Sequence, residues 1–245
     1  MTSPVQINMW AGPRNISTTM MRAFEIRSDT QVIDEPFYAY YLRHSGAAHP
    51  MRNEAMASLP TSYNDVVALL NQPVEPSAPI NFRKHIAFHL ADTPMQPVDW
   101  ITTQKSFLLI RDPRAMVASY AKKFDDVAPI TASLEVQKHI YDTLIDNAAT
   151  CPIVDASDIL KNPASILSLL CAALEIPFSE KMLNWPAGPR ASDGIWAPHW
   201  YDAVVKSTGF NKYQPKEIQL SAELEEIANQ CMPIYAELFD NRLTV

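Results

Sequence analysis

"VQINMWAGPRNISTTMMRAFEIR" (Val5–Arg27) is the stretch on which the fold turns. The apolar run Val5–Trp10 stops at Gly12-Pro13. Beyond it, Met20, Met21 and Phe24 recur at helical spacing behind the polar start Ser17, Thr18 and Thr19. The order is strand, loop, helix. The loop has the length of a nucleotide-gripping GxxxxGK[ST] loop. With Gly12 on its first glycine, Ser17 falls on the second, Thr18 on the lysine and Thr19 on the final Ser/Thr. The lysine is missing, so an ordinary ATPase or GTPase is disfavoured, and the cation on offer is Arg14, earlier in the loop. A helix start with free N–H groups, three hydroxyls and a favourable dipole still suits an anion. The plain alternative is that Asn15 or Ser17 merely caps the helix.

Further along, "TQVIDEP" (Thr30–Pro36) reads as a second strand, and the aromatic "FYAYYL" after it as a helix. Pro50–Pro97 is the least regular region, broken by Pro60, Pro73, Pro76, Pro79, Pro94 and Pro97. It reads as loops, helix pieces and a short strand within "PINFRKHIAFHL". "KSFLLIRDP" (Lys105–Pro113) is a clear buried strand running into the helix "RAMVASYAKKF". "TASLEVQKHIYDTLIDNA" is an amphipathic helix, "CPIVDASDIL" a strand, and "NPASILSLLCAAL" a helix with Pro163 at its first position. The tail Ser221–Phe239 is a further helix with one apolar stripe. Alternating strands and helices predict an α/β fold, a central parallel sheet flanked by helices on both faces, with ligands at the carboxyl ends of the strands.

Composition sets the bounds. At 245 residues, 47% hydrophobic and 19% charged, the chain buries a sizeable core and reads as one domain, residues 1–245. Its net charge of -7 excludes a general nucleic-acid binder, because no basic excess meets a phosphate backbone. A small anion needs only local cations. Cys151, Cys171 and Cys231 are odd in number and set in apolar stretches, which predicts buried reduced thiols and a cytoplasmic protein. The first residues lack the basic start and apolar core of a signal peptide, and no apolar run of about 20 residues spans a bilayer, so no membrane partner is expected. The oligomeric state is left open, a homodimer included.

A second anion element lies in "LLIRDPRAMVASY", where Arg111 ends a buried strand and Ser119 follows eight residues later, two turns into the next helix. Taken together, the two stretches resemble the sulfotransferases that use 3′-phosphoadenosine 5′-phosphosulfate (PAPS). Those enzymes carry a PRSGST-type loop after the first strand, here "PRNIST", and an arginine with a serine eight positions on. Ile16 occupies the usual glycine position and Asn15 the usual serine. "GPRASDGIWAPHW" (Gly188–Trp200) is similar to the late segment that closes over the nucleotide, with Arg190, Gly194 and Trp196 matching in type.

The resemblance implies a P-loop nucleotide-hydrolase-like sulfotransferase fold and a transfer from PAPS to a hydroxyl of a small-molecule or carbohydrate acceptor. It places Arg14 at the bridging oxygen of the donor, Asn15, Ser17, Thr18 and Thr19 around the 5′-phosphate, and Arg111 and Ser119 on the 3′-phosphate, with Arg190, Gly194 and Trp196 closing over the nucleotide. Sulfuryl transfer is mainly positioning and charge stabilisation of a weakly charged group, so no metal is expected. Glu35 in "DEPFYAY" resembles the Glu-Pro of the carbohydrate and bacterial branch, where the glutamate takes the acceptor's proton. His85 in "FRKHIAFHL" is the second candidate base, similar to the histidine of Lys-x-His in the small-molecule branch. Two other readings stand beside this one. A kinase-like P-loop phosphotransferase is weakened by the missing lysine, and a catalytically inactive nucleotide-binding domain is favoured by Ile16.

Overall fold

Val5–Ala11 (β1) forms the middle of a parallel sheet, and its loop leads into Ser17–Glu25 (α1), as the opening stretch predicts. The computed structural model describes residues 4–73, 77–93, 99–215 and 217–245. Pro76, Pro94 and Pro97, three of the prolines that mark the irregular region, lie outside the described residues. There follow Thr30–Asp34 (β2), Tyr38–Ser45 (α2), Arg52–Ser58 (α3), Tyr63–Leu70 (α4), Ile80–Ile86 (β3) and Asp99–Thr102 (α5). Lys105–Ile110 (β4), Pro113–Tyr120 (α6), Ala128–Asp146 (α7), Ile153–Asp155 (β5), Ala156–Lys161 (α8) and Pro163–Ala173 (α9) come next. Ala197–Trp200 (α10), Asp202–Val205 (α11) and Ala222–Asp240 (α12) complete the order.

Among the described residues the sheet has five strands in the order β2-β3-β1-β4-β5, every pair parallel. Alternate side chains of a strand face opposite sides. Ile7, Met9, Phe82 and Phe107 therefore pack against Met20 and Phe24 of α1 and Leu167 and Leu170 of α9. Trp10, Leu108, Ile110 and Ile153 meet α4, α7 and α12 through Val66, Ile140, Leu144 and Leu238. Both faces are covered, which explains the near-continuous apolar strands. No helix among the described residues is long and apolar enough to cross a membrane.

One expectation changes. The strand read in "CPIVDASDIL" ends at Asp155, because its Oδ1 accepts from Ser157 N at 2.8 Å and so starts a helix over Ala156–Lys161. The short strand of the proline-rich region takes an interior place in the sheet. β3 lies between β1 and β2, so β2 does not border the opening loop, and Lys84 of β3 stands between them.

Candidate active site

The loop after β1 turns with two residues in the left-handed region, Arg14 at φ 65° and Ile16 at φ 56°. Such a backbone costs an L residue about 1–2 kcal/mol. Ile16 sets its side chain against the core on the α1 side, which offsets the strain. At Gly12 a Cβ would lie 2.6 Å from Met116 Cε, so a larger residue there would have to push aside the end of that flexible side chain. Ile16 is also the N-cap of α1, and it supplies no side-chain cap. Asn15 does not cap either: it is buried, with Nδ2 donating to the Leu109 carbonyl at 3.0 Å. The first turn of α1 thus opens its N–H groups toward a cavity of about 310 Å³, lined by Arg14, Ser17, Thr18, Thr19, Arg111 and Ser119 on the β4 side and by Glu35 on the β2 side.

Arg111 emerges just beyond β4 and donates from Nη1 to the Arg14 carbonyl, while Arg14 Nε donates to Ser119 Oγ at 3.0 Å. The three residues expected from the two separate motifs meet. Burial, and then the charge of Arg14, push the Arg111 guanidinium below its ordinary range, against the pull of Asp155 and Asp112. Among the described residues neither guanidinium forms an ion pair. Two cations held together without a carboxylate partner create a standing field for an anion.

Across the loop, Asp34 and Lys84 are register partners on neighbouring strands, so their side chains share a face. Lys84 Nζ lies 2.7 Å from Asp34 Oδ1, 2.8 Å from Glu35 Oε1 and 3.3 Å from Thr18 Oγ1. Tyr201 completes the group: its hydroxyl accepts from Lys84 at 2.5 Å and donates to Asp34 Oδ2 at 2.7 Å. Burial alone would lower the Lys84 ammonium, but the two carboxylates outweigh it and hold it raised. Asp34 is pushed up by burial, which Lys84 only partly offsets, with the Glu35 charge adding to the rise. Glu35 takes φ 46°, anchored by its N–H on the Lys84 carbonyl at 2.8 Å, and its carboxylate reaches the cavity with His89 Nε2 4.0 Å away.

The structure does not bring every predicted residue to this cavity. His85 follows Lys84 directly, so the pleat turns it to the opposite face. There it is buried, stacked on Trp10 at 4.1 Å and bonded to Asn8 Oδ1 at 3.0 Å, away from the cavity lining. The late segment reaches the cavity only through Trp200, and its three predicted residues stand apart from the lining. Arg190 Nη2 donates to the Pro186 carbonyl at 2.6 Å, with Nε 3.8 Å from Glu25, Gly194 N–H donates to Asp34 at 3.0 Å, and Trp196 is buried against Tyr38. None of the three lines the cavity. Sequence reading did not assign Lys84 to the site. The signal for Lys84 was a lysine inside a strand, and it gains meaning only once that strand proves central and wholly buried.

The Sulfotransferase domain family matches residues 5–241. The chain belongs to the sulfotransferase family. This sulfotransferase-family chain is 33% identical over 230 residues to the branched-chain-amino-acid aminotransferase-like protein 2 of Arabidopsis thaliana, covering 94% of its own length and 40% of that protein. It is equally similar, at 33% over 243 residues, to the aminotransferase-like protein 1 of the same plant, covering 96% of its own length and 42% of the relative. The chain therefore spans about two fifths of these curated relatives. Among solved structures it shares its fold with the sulfotransferase domain from the curacin biosynthetic pathway (TM-score 0.54, 14% identity, 95% of this chain and 98% of that one). It also shares it with a sulfotransferase from Alicyclobacillus acidocaldarius (TM-score 0.56, 12% identity, 99% and 98%).

Proposed function

We propose that this protein moves a sulfuryl group from PAPS to the hydroxyl of a small-molecule acceptor, with Glu35 as the base. The reading rests on one observation: two guanidiniums without ion-pair partners and the uncapped start of α1 converge on a cavity that Glu35 also lines. These groups suit a nucleotide charged at both ends. Ser17, Thr18 and Thr19 would hold the 5′-phosphosulfate with helix N–H and hydroxyl donors, and Arg111 and Ser119 the 3′-phosphate. Arg14, bonded to Ser119 from the loop itself, would sit between the two ends and stabilise charge as the nucleotide leaves. In the transfer the acceptor oxygen bonds to sulfur, the bond from sulfur to the phosphate oxygen breaks, adenosine 3′,5′-bisphosphate departs, and the acceptor proton goes to Glu35.

Thermal shift with adenosine 3′,5′-bisphosphate against ATP plus magnesium tests the donor, with stabilisation by the bisphosphate expected. Arg111→Ala should weaken bisphosphate binding by about 10- to 100-fold, the worth of a charged hydrogen bond of about 1.5–3 kcal/mol. Selective stabilisation by ATP would turn the reading to a phosphotransferase, and unchanged bisphosphate affinity in the variant would remove Arg111 from the site.

A further inference from the structure

Beyond Glu35 the cavity changes character. Its wall is built of rings from five separate places: Tyr38 of α2, His49 of the following loop, Phe88 and His89 of the short 3-10 turn after β3, Phe124 after α6, and Trp200 of α10. The rings form a continuous array, with Tyr38 to His89 at 5.3 Å, Tyr38 to His49 at 5.9 Å, His49 to Phe124 at 6.0 Å and Phe124 to Trp200 at 5.3 Å. Those spacings are the ones aromatic rings adopt when they pack on one another. The array is also uncharged. Burial holds His49 below its ordinary range, and burial first, with the Lys84 charge adding to it, holds His89 well below it, so both are neutral at pH 7. Among the described residues that line the cavity, the permanently charged side chains are Arg14, Arg111 and Glu35.

We infer that the acceptor is an uncharged, ring-bearing compound with one reactive hydroxyl, seated on the aromatic wall with that hydroxyl at Glu35. This rests on the sulfuryl-transfer reading, and it excludes two other acceptor classes on physical grounds. An anionic acceptor, such as a uronate-bearing sugar chain, finds no cation among the described residues that line the ring side, where Lys123 lies outside the lining, 5.4 Å over the Trp200 ring and bonded to the His199 carbonyl, and it meets the charge of Glu35; both arginines lie at the other end, where the nucleotide phosphates need them. A polyhydroxylated neutral sugar would bury more hydroxyls than this wall can pair, since Tyr120 and Asn211 are the polar side chains it adds to those already bonded. Tyr38 Oη and His49 Nδ1 already bond each other at 3.1 Å, and the Ser207 hydroxyl is taken up by Val204 O at 2.7 Å and Trp185 Nε1 at 3.1 Å. Hydroxyls left unpaired in an apolar wall oppose binding.

The test is saturation-transfer NMR on the full chain with adenosine 3′,5′-bisphosphate present, using 2-naphthol, maltose and a glucuronate-containing disaccharide as probes. Naphthol should bind and the two sugars should not. Trp200→Ala and Phe124→Leu should each weaken naphthol at least tenfold while bisphosphate affinity stays within twofold, which shows that the variants are folded. Tighter binding of either sugar, no naphthol binding, or naphthol affinity indifferent to both substitutions overturns the inference. Failure of the bisphosphate itself to bind strikes the donor reading instead, and the naphthol arm is still read in its absence.

Discussion

Lys84→Met is the perturbation whose cost the structure sets most directly. The ammonium is fully buried and holds two adjacent carboxylates at 2.7 and 2.8 Å. At an effective dielectric of about 20, each contact at that range is worth roughly 6 kcal/mol of Coulomb attraction. Desolvation of the ammonium takes back several kcal/mol, and so does the mutual repulsion of Asp34 and Glu35. Removing the cation while both carboxylates stay in place should therefore cost about 3–5 kcal/mol, the range for breaking a buried pair. Urea unfolding at pH 7 reads that loss. A thermal scan should show a fall of roughly 6–20 °C, at about 2–4 °C per kcal/mol for a domain of this size. Adding Asp34→Asn removes one of the stranded charges, so the double variant should be more stable than Lys84→Met alone. The deficit of Lys84→Met should also shrink as pH falls from 7 to 5, because Asp34, already raised by burial, becomes protonated and its stranded charge disappears. A single variant within 1 kcal/mol of wild type, or a double variant less stable than the single, would refute the reasoning.

Three further outcomes follow from particular contacts. Glu35→Gln should abolish sulfuryl transfer to any acceptor the protein uses while bisphosphate affinity holds, because the base is lost and the donor groups are untouched; equal transfer rates would remove Glu35 as the base. His85 is held well below its ordinary 6.5 by burial, then by the charges of Arg83 and His89, so the unfolded chain takes up its proton first as pH falls. Stability is then complete above about pH 6.5 and lost below it, by at most about 1.4 kcal/mol per pH unit for this group. His85→Phe should flatten the fall in unfolding free energy between pH 7 and 5, and a slope equal to wild type would show that His85 does not drive it. Gly194→Ala places a Cβ 2.1 Å from Trp196 Cζ2, so it should displace that indole, shift its fluorescence and cost about 1–3 kcal/mol; an unchanged spectrum would show that the segment gives way freely.

How far the sequence reaches differs from residue to residue. The strand, loop and helix around Gly12 were legible because hydrophobic spacing and turn residues are local signals, and so was the pair Arg111 and Ser119, the first at the end of a strand and the second in the helix that follows it. Local signals do not carry strand order. The short strand in the proline-rich region carried no sign of its place, yet it lies between β1 and β2, and that order separates Glu35 from the loop after β1 by the buried Lys84. Pleat alternation, worthless until the register is known, then sends Lys84 to the site and its neighbour His85 to the opposite core. Ile16 shows the same division. From the sequence it was a side chain where glycine is usual; in the fold its left-handed backbone is held by packing of that side chain on the core, which leaves the start of α1 open. By itself, then, the sequence determined the α/β class, the strand, loop and helix around Gly12, and the helix that carries Ser119 after Arg111, because residue type and short spacing encode those. Only the tertiary structure decided which groups share a cavity, which histidine is excluded from it and which rings form its far wall, since those depend on residues brought together from distant parts of the chain.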